Sequence, residues 1–438
     1  MLHQEIGTAA SQQIIKFPVH LHCIGRHGIF YLIFLLWAAG KFIDPQFLVE
    51  DAVGSLDDVL TDIAFVRCIL HSDVFGKDSI LRRELTNFTV KQGIMDKVRF
   101  GVVGTNFITD WVINGARQDS RFVLQAVCSR TAGRAAEFAA KHGIPDTYTS
   151  LEEMASSPEI DAVYIASPNF MHASQSILCM SLGKHVLCEK PVASNAGEAM
   201  EMIRASEKFN VTFMEAMKPT LTPGFRAVMD NIGRAGKIRR YFSSYCQYSS
   251  RYDRFKAGMP MTAFSPEYSN GAVMDIGVYT IYPMIVLFGK PDKIIASGTK
   301  LSSGVDGQGT AVFGYNDMEA SVIYSKISDS ALPTEIQGEN GTISIDRINS
   351  IGSVRFSPVK AASRKSAPAY GDSPEEIRFI KDNDEYFYEV REFIDLVLSG
   401  KRESAINSHR NSLATMETVD EIRRQCCVRF PADDRNRI

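Results

Sequence analysis

The sequence has no excess of basic charge. Its 438 residues include 48 Lys and Arg against 51 Asp and Glu, a formal net charge of −3. Proteins that bind nucleic-acid backbones usually carry a clustered basic surface, so we expect no nucleic acid partner. Apolar residues make up 45% of the chain and charged residues 23%, as in ordinary globular proteins. The length predicts two or three domains.

Metal-binding cysteine patterns are also missing. None of the eight cysteines belongs to a C-x-x-C pair, and no Cys/His spacing is typical of a zinc site. The sequence therefore predicts no metal site. We expect free thiols, as in the reducing cytoplasm, and hence a cytoplasmic protein.

The first 94 residues lack an apolar run long enough to cross a bilayer. The run Ile29–Ala39 is apolar for 11 residues, whereas a spanning helix needs about 20. Three interpretations stay open: an accessory helical segment, a membrane-surface anchor within residues 22–43, or sequence outside the mature protein. We favour the third, because Met95 lies three residues before the first buried strand, and we expect no membrane association.

From Val98 onward, short apolar runs alternate with helical patterns. The predicted strands are 98–103, 122–128, 162–166, 185–188 and 211–214, and helices are predicted over 107–116, 132–142 and 172–182, with shorter ones capped by Ser150 and Asn195. This alternation is typical of a doubly wound parallel sheet. We predict an α/β protein whose residues 95–217 form a Rossmann domain.

After Met217 the pattern becomes mostly strands. They are predicted over 238–248, 293–297, 310–315, 320–326 and 342–346, with Asn316-Asp317 and Asn340-Gly341 as turns. We predict that residues 218–430 form a second α/β domain with a large, mostly antiparallel sheet. A loop is predicted over 353–374 and helices over 386–398 and 412–425.

The first strand runs into a variant of the dinucleotide-binding turn. The usual pattern is G-x-G-x-x-G/A, in which glycines let the backbone approach a pyrophosphate at a helix N-terminus. Here Gly104 holds the first position, Asn106 the second and Thr109 the third. Asn tolerates a left-handed backbone better than other non-glycine residues do, so a dinucleotide site and a purely structural turn both stay open.

The second strand ends without the carboxylate that NAD-specific sites use. No Asp or Glu lies between Arg121 and Thr131, and the strand is followed by Ser129 and Arg130. A hydroxyl and a guanidinium suit the 2′-phosphate of NADP(H), because arginine binds phosphate through paired hydrogen bonds. NADP(H) is therefore the expected cofactor, with NAD(H) as a second option.

Two further strands end in polar segments. Ser167-Pro-Asn-Phe-Met-His172 and Cys188-Glu-Lys-Pro191 should meet at the carboxyl edge of the sheet, where ligands bind. Lys190 is a candidate proton donor, or a cation that lowers the pKa of a nearby phenol. A surface lysine and a helix-end histidine are the structural alternatives.

Asp275 and Tyr279 lie four residues apart, so on a helix they share one face. Beside a lysine they would form an acid/base set, although an amphipathic helix would show the same spacing. Tyr279 is also a candidate substrate contact, together with Tyr248 and Arg251, which could equally be part of a dimer interface.

Together these motifs resemble the glucose-fructose oxidoreductase / inositol dehydrogenase / MocA family, over roughly Lys97 to the C-terminus. The similarity is greatest to the branch of dimeric trans-dihydrodiol dehydrogenase. The residues that carry it are Gly104-Thr-Asn-Phe-Ile108, Ser129-Arg130, Ser167-Pro-Asn-Phe-Met-His172, Glu189-Lys-Pro191, Glu215-Ala-Met217 and Asn270–Tyr279.

The resemblance implies that Lys190, Asp275 and Tyr279 are catalytic, with Tyr279 as the proton donor. It implies a homodimer or tetramer formed through the C-terminal sheet. It also assigns cofactor binding to Gly104, Thr105, Asn106, Phe107, Ile108, Ser129, Arg130, Ser167, Pro168, Asn169, His172, Glu189 and Lys190. We therefore expect an enzyme that transfers a hydride between NADP(H) and a sugar, polyol or cyclic diol. A non-catalytic NADP-sensing regulator of the same fold is the alternative.

Two departures from the family pattern bear on this expectation. Asn106 replaces a glycine, which alters the expected pyrophosphate contacts. Lys218 and Thr220 stand where the branch commonly has Trp and Arg, so the substrate is expected to differ from that of the named relatives.

Overall fold

The computed structural model describes residues 97–359 and 374–437. The apolar run Ile29–Ala39, the remainder of residues 1–94 and most of the loop predicted over 353–374 lie outside the described residues.

The first part of the described chain is a six-stranded parallel sheet. Its strands are β1 (Val98–Val103), β2 (Phe122–Cys128), β3 (Asp146–Tyr148), β4 (Ala162–Ile165), β5 (His185–Glu189) and β6 (Phe213–Ala216), in the order β3-β2-β1-β4-β5-β6. The connecting helices are α1 (Phe107–Ala116), α2 (Ala132–His142), α3 (Leu151–Ser156), α4 (His172–Ser181) and α5 (Ala196–Phe209). The order reverses between β1 and β4, and such a switch point is where α/β sheets bind ligands. The predicted Rossmann fold is confirmed.

Local sequence explains where these helices begin and end. The side chain of Ser150 accepts a hydrogen bond from the backbone N–H of Glu153, and that of Asn195 from Glu198, so both act as N-caps. Helix α2 ends at Gly143, whose φ of 65° few other residues adopt readily.

The second part contains an eight-stranded sheet. Its strands are β7 (Ile238–Cys246), β8 (Lys293–Lys300), β9 (Asp306–Gly314), β10 (Glu319–Ser325), β11 (Thr334–Gly338), β12 (Gly341–Ile345), β13 (Val354–Pro358) and β14 (Glu375–Ile377). The order is β14-β13-β12-β11-β7-β10-β9-β8, and only β7 and β10 pair in parallel. The prediction of a mostly antiparallel sheet is confirmed.

The helices of the second part are α6 (Pro223–Asn231), α7 (Tyr252–Lys256), α8 (Val278–Phe288), α9 (Glu385–Leu398) and α10 (His409–Gln425), with a π-helical turn at Val273–Gly277 before α8. Short 3-10 turns lie at Asn169–Met171, Lys218–Leu221, Ile232–Ala235, Thr262–Phe264, Pro266–Tyr268 and Pro431–Arg437. The stretch Pro266–Phe288 is long and apolar enough to cross a membrane, but 72% of its apolar window is buried within the protein.

Four strands escaped sequence prediction: β3, β11, β13 and β14. The loop predicted over 353–374 is wrong at its start, because Val354–Pro358 is a strand. Only Val354 and Phe356 are buried there, so its apolar signal is short. This segment forms a strand because it pairs with β12 along the whole length of β12, although its own composition gives only a weak strand signal.

Helix α9 follows the second sheet in the chain but packs against the first. The Phe393 ring lies 5.8 Å from that of Phe100 in β1, and the Asp395 carboxylate lies 2.7 Å from the Arg121 guanidinium. A helix that lies late in the sequence therefore stabilises the first sheet.

Candidate active site

Gly104 makes the turn that leaves β1. Its φ is +101°, and a Cβ atom at this position would lie 2.6 Å from the carbonyl oxygen of Ala166. Only glycine fits without moving the end of β4. The tight turn expected of a dinucleotide site is therefore present.

Asn106 works differently from what the sequence suggested. Its φ of −100° is not left-handed. Its Oδ1 accepts hydrogen bonds from the backbone N–H of Ile108 (2.8 Å) and Thr109 (3.4 Å), and its Nδ2 donates to the Ala166 carbonyl (2.8 Å). Asn106 is thus the N-cap of α1 and ties that helix to β4.

The end of β2 presents cationic side chains with no acidic neighbour in the following turn. Ser129 is half-buried, and Arg130 is exposed with no side-chain partner among the described residues. Arg134 lies in the first turn of α2, whose N-cap Thr131 makes no side-chain capping bond. Sequence analysis missed Arg134, although its position in the first turn of a helix after Arg130 could have indicated it.

The loop after β4 is braced from two sides. Asn169 Nδ2 donates to the Ser269 carbonyl (2.9 Å) and to Asn270 Oδ1 (3.1 Å). The ring of His172 is buried, with Nε2 2.9 Å from the Ser167 carbonyl and Nδ1 2.9 Å from the Pro191 carbonyl. The imidazole therefore joins two loops and leaves neither nitrogen for a cofactor.

Lys190, Asp275 and Tyr279 meet at the carboxyl end of β5. Lys190 Nζ donates to the Asp275 carbonyl (2.9 Å) and lies 3.2 Å from Asp275 Oδ1. It also sits 4.8 Å from the centroid of the Tyr279 ring. The lysine therefore faces both side chains, as their spacing of four residues predicts.

The Tyr279 hydroxyl has no hydrogen-bond partner in the described part of the chain, which leaves it available to a ligand. Burial and the negative charge of Glu189 hold the pKa of Tyr279 well above its usual range. This upward direction is opposite to the alternative in which Lys190 lowers the pKa of a nearby phenol, and the Lys190 ammonium lies over the face of the Tyr279 ring. Tyr279 keeps its proton at neutral pH.

Two carboxylates that sequence analysis did not assign hold these residues in place. Asp306 accepts hydrogen bonds from the backbone N–H of Ala272 (3.1 Å) and Val273 (2.8 Å), immediately before Asp275, and burial raises its pKa to about 6. Glu215 Oε1 accepts from the Val192 N–H (3.0 Å), two residues after Lys190, and burial raises its pKa to about 7.

Glu189, the last residue of β5, is buried at the carboxyl end of that strand. Its Oε1 accepts a hydrogen bond from the Tyr164 hydroxyl (2.7 Å), and its Oε2 accepts one from the Lys190 N–H (3.2 Å). Glu389 of α9 is fully buried, and neither of its oxygens has a partner among the described residues. Burial and the charge of Glu189 raise the pKa of Glu389 well above its usual range.

Two of the predicted substrate residues, Tyr248 and Arg251, make other contacts than with Tyr279, the third. The Tyr248 hydroxyl donates to Asp253 Oδ1 (2.7 Å). Arg251 lies 6.0 Å from the ring centroid of Phe107, the first residue of α1. Tyr245 of β7, which we had not singled out, is the tyrosine beside Tyr279, with ring centroids 5.7 Å apart. The one sequence signal that could have indicated Tyr245 was its position near the end of the strand predicted over 238–248.

Lys218 and Thr220 are both engaged by the protein. The Lys218 ammonium pairs with Glu385 and donates to the Asn349 carbonyl (3.2 Å). The Thr220 hydroxyl is buried, 2.6 Å from Asn407 Oδ1. Neither side chain is a free cation or an aromatic wall in this cleft.

Comparison with known proteins assigns the chain to a family. Residues 98–217 match the NAD-binding Rossmann-fold domain of the GFO/IDH/MocA oxidoreductases, and residues 227–344 match a C-terminal domain of the same group. The chain belongs to the GFO/IDH/MocA oxidoreductase family. The predicted family and the predicted oxidoreductase class are confirmed.

Two of the similar curated proteins are named as dehydrogenases. The chain is 48% identical over 337 residues to scyllo-inositol 2-dehydrogenase (NADP(+)) IolU of Bacillus subtilis (strain 168), covering 77% of this chain and 99% of that protein. It is 31% identical to trans-1,2-dihydrobenzene-1,2-diol dehydrogenase of Danio rerio, over 70% of this chain and 90% of the relative.

Solved structures share the fold at lower identity. A levoglucosan dehydrogenase bound to NADH and levoglucosan aligns with a TM-score of 0.65 and 20% identity, over 75% of this chain and 97% of its own. The 3-ketoreductase KijD10 from Actinomadura kijaniata, bound to NADP and TDP-benzene, aligns with a TM-score of 0.65 and 21% identity, over 75% and 98% of the two chains.

Proposed function

We propose that this oxidoreductase uses NADP(H) to interconvert a secondary alcohol and a ketone on a cyclic polyol or sugar. The observation that carries the proposal is the contact of Lys190 with both Asp275 and Tyr279 at the carboxyl end of β5. The 48% identity to a protein named as an NADP-dependent inositol dehydrogenase supports the substrate class.

The cofactor site combines the Gly104 turn, the capped N-terminus of α1 and the side chains after β2. Gly104, Thr105, Asn106, Phe107 and Ile108 would lie along the pyrophosphate. Ser129 and Arg130 would bind the 2′-phosphate, which favours NADP(H) over NAD(H). The absence of an acidic side chain in the first turn of α2 supports this preference.

The next strand edges would flank the nicotinamide. Ser167, Pro168, Asn169, Glu189 and Lys190 come from the ends of β4 and β5. His172 holds these two loops together rather than touching the cofactor. When bound, the nicotinamide supplies the hydride for reduction or accepts it in oxidation.

The protein residues handle the proton. In ketone reduction, the Tyr279 hydroxyl donates a proton to the developing alkoxide, and its raised pKa keeps that proton in place at neutral pH. The Lys190 ammonium stabilises the negative oxygen, and Asp275 orients the ammonium. In alcohol oxidation the deprotonated Tyr279 oxygen accepts the proton of the alcohol, and the Lys190 ammonium stabilises that negative oxygen beforehand.

The remaining assignments follow from position. Tyr245 is the aromatic neighbour that a substrate held at Tyr279 would meet, while Arg251, lying over Phe107, suits the cofactor side of the cleft.

We also propose that the protein is cytoplasmic and forms a homodimer or tetramer through the face of the eight-stranded sheet. The exposed side chains of Ile295 and Val312 on neighbouring strands support that interface.

The first test is a titration of the purified protein with NADPH and NADH, followed by nicotinamide fluorescence and by turnover on a panel of inositols, sugars and cyclic diols. We expect NADPH to bind at least about ten times more tightly than NADH. Oxidation of at least one polyol is the second expected result. Tight NADPH binding without turnover on any substrate would favour an NADP-sensing regulator instead.

A further inference from the structure

Lys326 is a buried lysine beside the proposed catalytic residues. It follows the last residue of β10 and is 3% exposed. Its ammonium forms an ion pair with Asp275 Oδ2, donates to the Ala263 carbonyl (3.3 Å) and lies 4.9 Å from the centroid of the Phe264 ring. A buried ammonium group is unfavourable unless it is paired, so this position is unlike that of a surface lysine.

The Asp275 carboxylate is shared between two lysines. Oδ1 faces Lys190 at 3.2 Å, and Oδ2 faces Lys326. Because each oxygen has its own ammonium partner, the plane of the carboxylate is fixed. The single negative charge of Asp275 is then shared by two ammonium groups, so it neutralises the charge of Lys190 only in part.

We propose that Lys326 is a positioning residue of the oxidoreductase site, which anchors Asp275 and shares its negative charge, so that Asp275 does not fully neutralise the Lys190 ammonium beside Tyr279. This inference rests on the proposed function. The contacts of the Lys326 side chain within the described residues are with Asp275, Ala263 and Phe264, and none is with Tyr279. It acts through Asp275, which holds Lys190 over the tyrosine ring.

Other charged and titratable groups also act on this cluster. Those that face Lys190 or Asp275 from the neighbouring elements are His172, Glu189, Glu215, Tyr245 and Tyr279, and Asp306 faces Lys326. Among the described residues, Lys326 is the one cation besides Lys190 that pairs with Asp275. Replacing it changes the charge of the cluster by one unit without altering any of these groups.

The test compares Lys326→Gln, which can still donate a hydrogen bond to Asp275, with Lys326→Arg, which keeps the charge. The readout is kcat for NADP⁺-dependent polyol oxidation from pH 6 to 10. With Gln, we expect kcat to fall roughly 10-fold. We also expect the pH midpoint, at which kcat reaches half its maximum, to move up by about one unit, because the site loses a positive charge and therefore releases its proton less readily. With Arg, the midpoint should return to the wild-type value.

Lys184→Met provides a matched control. Lys184 is also a lysine held by the protein, with its ammonium donating to the carbonyls of Ser157 and Ile160 at 2.8 Å each. It has no contact with Asp275. This variant should lose stability while its pH midpoint stays at the wild-type value.

Three outcomes would overturn the inference. The first is a Gln variant with lower kcat and an unmoved midpoint, which indicates a purely structural role. The second is a Lys184→Met variant with the same shift. The third is a folded Arg variant whose pH midpoint differs from that of the wild type. This outcome would overturn the inference even if the Gln variant does not fold.

A second readout separates this inference from the proposed function. The wild-type protein and the Gln variant are treated with acetic anhydride over the same pH range, and acetylation of Lys190 is followed by mass spectrometry. Acetylation of Lys190 should begin at a higher pH in the variant than in the wild type. If the wild type oxidises no polyol, the proposed function fails, but a shifted acetylation profile still supports Lys326, and an unshifted one contradicts it.

Discussion

Tyr279 offers the most direct test of the chemistry at the level of one residue. Its hydroxyl has no partner among the described residues, while its ring contacts Lys190 and Tyr245. Tyr279→Phe removes the acidic hydrogen and keeps both ring contacts. We therefore expect kcat to fall by about 10²-fold or more, with little change in NADPH affinity. Steady-state kinetics and fluorescence titration measure the two quantities.

Tyr245→Phe is the control for that substitution. It removes a hydroxyl of the same kind, which donates to Gln247 Oε1 (3.0 Å). A loss of less than about 10-fold is expected, since this hydroxyl is already occupied by the protein. Undiminished turnover of Tyr279→Phe would remove Tyr279 from the mechanism.

Arg130 tests cofactor choice at the same scale. Its exposed guanidinium has no competing partner in the described residues, so it is available to a phosphate. Arg130→Ala should weaken NADPH binding about 10- to 100-fold, the range of a hydrogen bond to a charged group, and should leave NADH binding nearly unchanged. Titration with both cofactors measures this. Arg226→Ala, at an exposed arginine of α6, should change neither affinity, and equal weakening of both cofactors by Arg130→Ala would count against 2′-phosphate recognition.

At the scale of an element, helix α1 depends on its cap. Asn106→Ala removes two acceptor contacts at the start of α1 and the donor contact to Ala166. The free energy of unfolding should fall by about 1–2 kcal/mol, and NADPH affinity should fall as well because the helix terminus faces the pyrophosphate site. Urea unfolding and fluorescence titration test the two effects.

Ser150→Ala separates the two effects. Ser150 caps α3 through the Glu153 N–H, in a helix that contributes none of the proposed cofactor contacts. It should reduce stability to a similar extent without weakening NADPH binding. If both variants keep wild-type affinity, the cap of α1 has no part in the cofactor site.

Helix α1 and the elements next to it show how much of the fold could be predicted from the sequence. The bounds of β1, α1, β2 and α2 follow from apolar periodicity and caps, which are local signals. Asn106 was recognised as a departure, but its hydrogen bond to Ala166 depends on β4, sixty positions along the chain. Lys326 and Asp306 gave no local signal either, because only the packing of β9 and β10 against the π-helical turn brings Lys326 to Asp275 and Asp306 to the backbone of that turn.

At the scale of the whole molecule, Glu385 connects three segments that are distant in sequence. Its carboxylate pairs with Lys218 after β6, accepts from Ser350 before β13 and lies at the start of α9. Burial opposes its ionisation, but the charge of Lys218 outweighs burial and lowers the pKa of Glu385 from 4.5 to about 2. The interaction therefore stabilises the folded protein above about pH 4.5 and is lost as the pH falls toward 2.

Glu385→Gln should flatten the loss of stability in acid. The wild type is expected to lose roughly 1 kcal/mol more free energy of unfolding than the variant between pH 6 and 3, a value reduced for partial exposure to solvent. Urea unfolding at several pH values measures the two slopes. Glu421→Gln is the matched control, since Arg424 lowers the pKa of Glu421 to about 2 on an exposed face of α10, where solvent screens the pair. If both substitutions flatten the acid slope equally, the Lys218–Glu385 pair does not owe its strength to burial between the two parts of the fold.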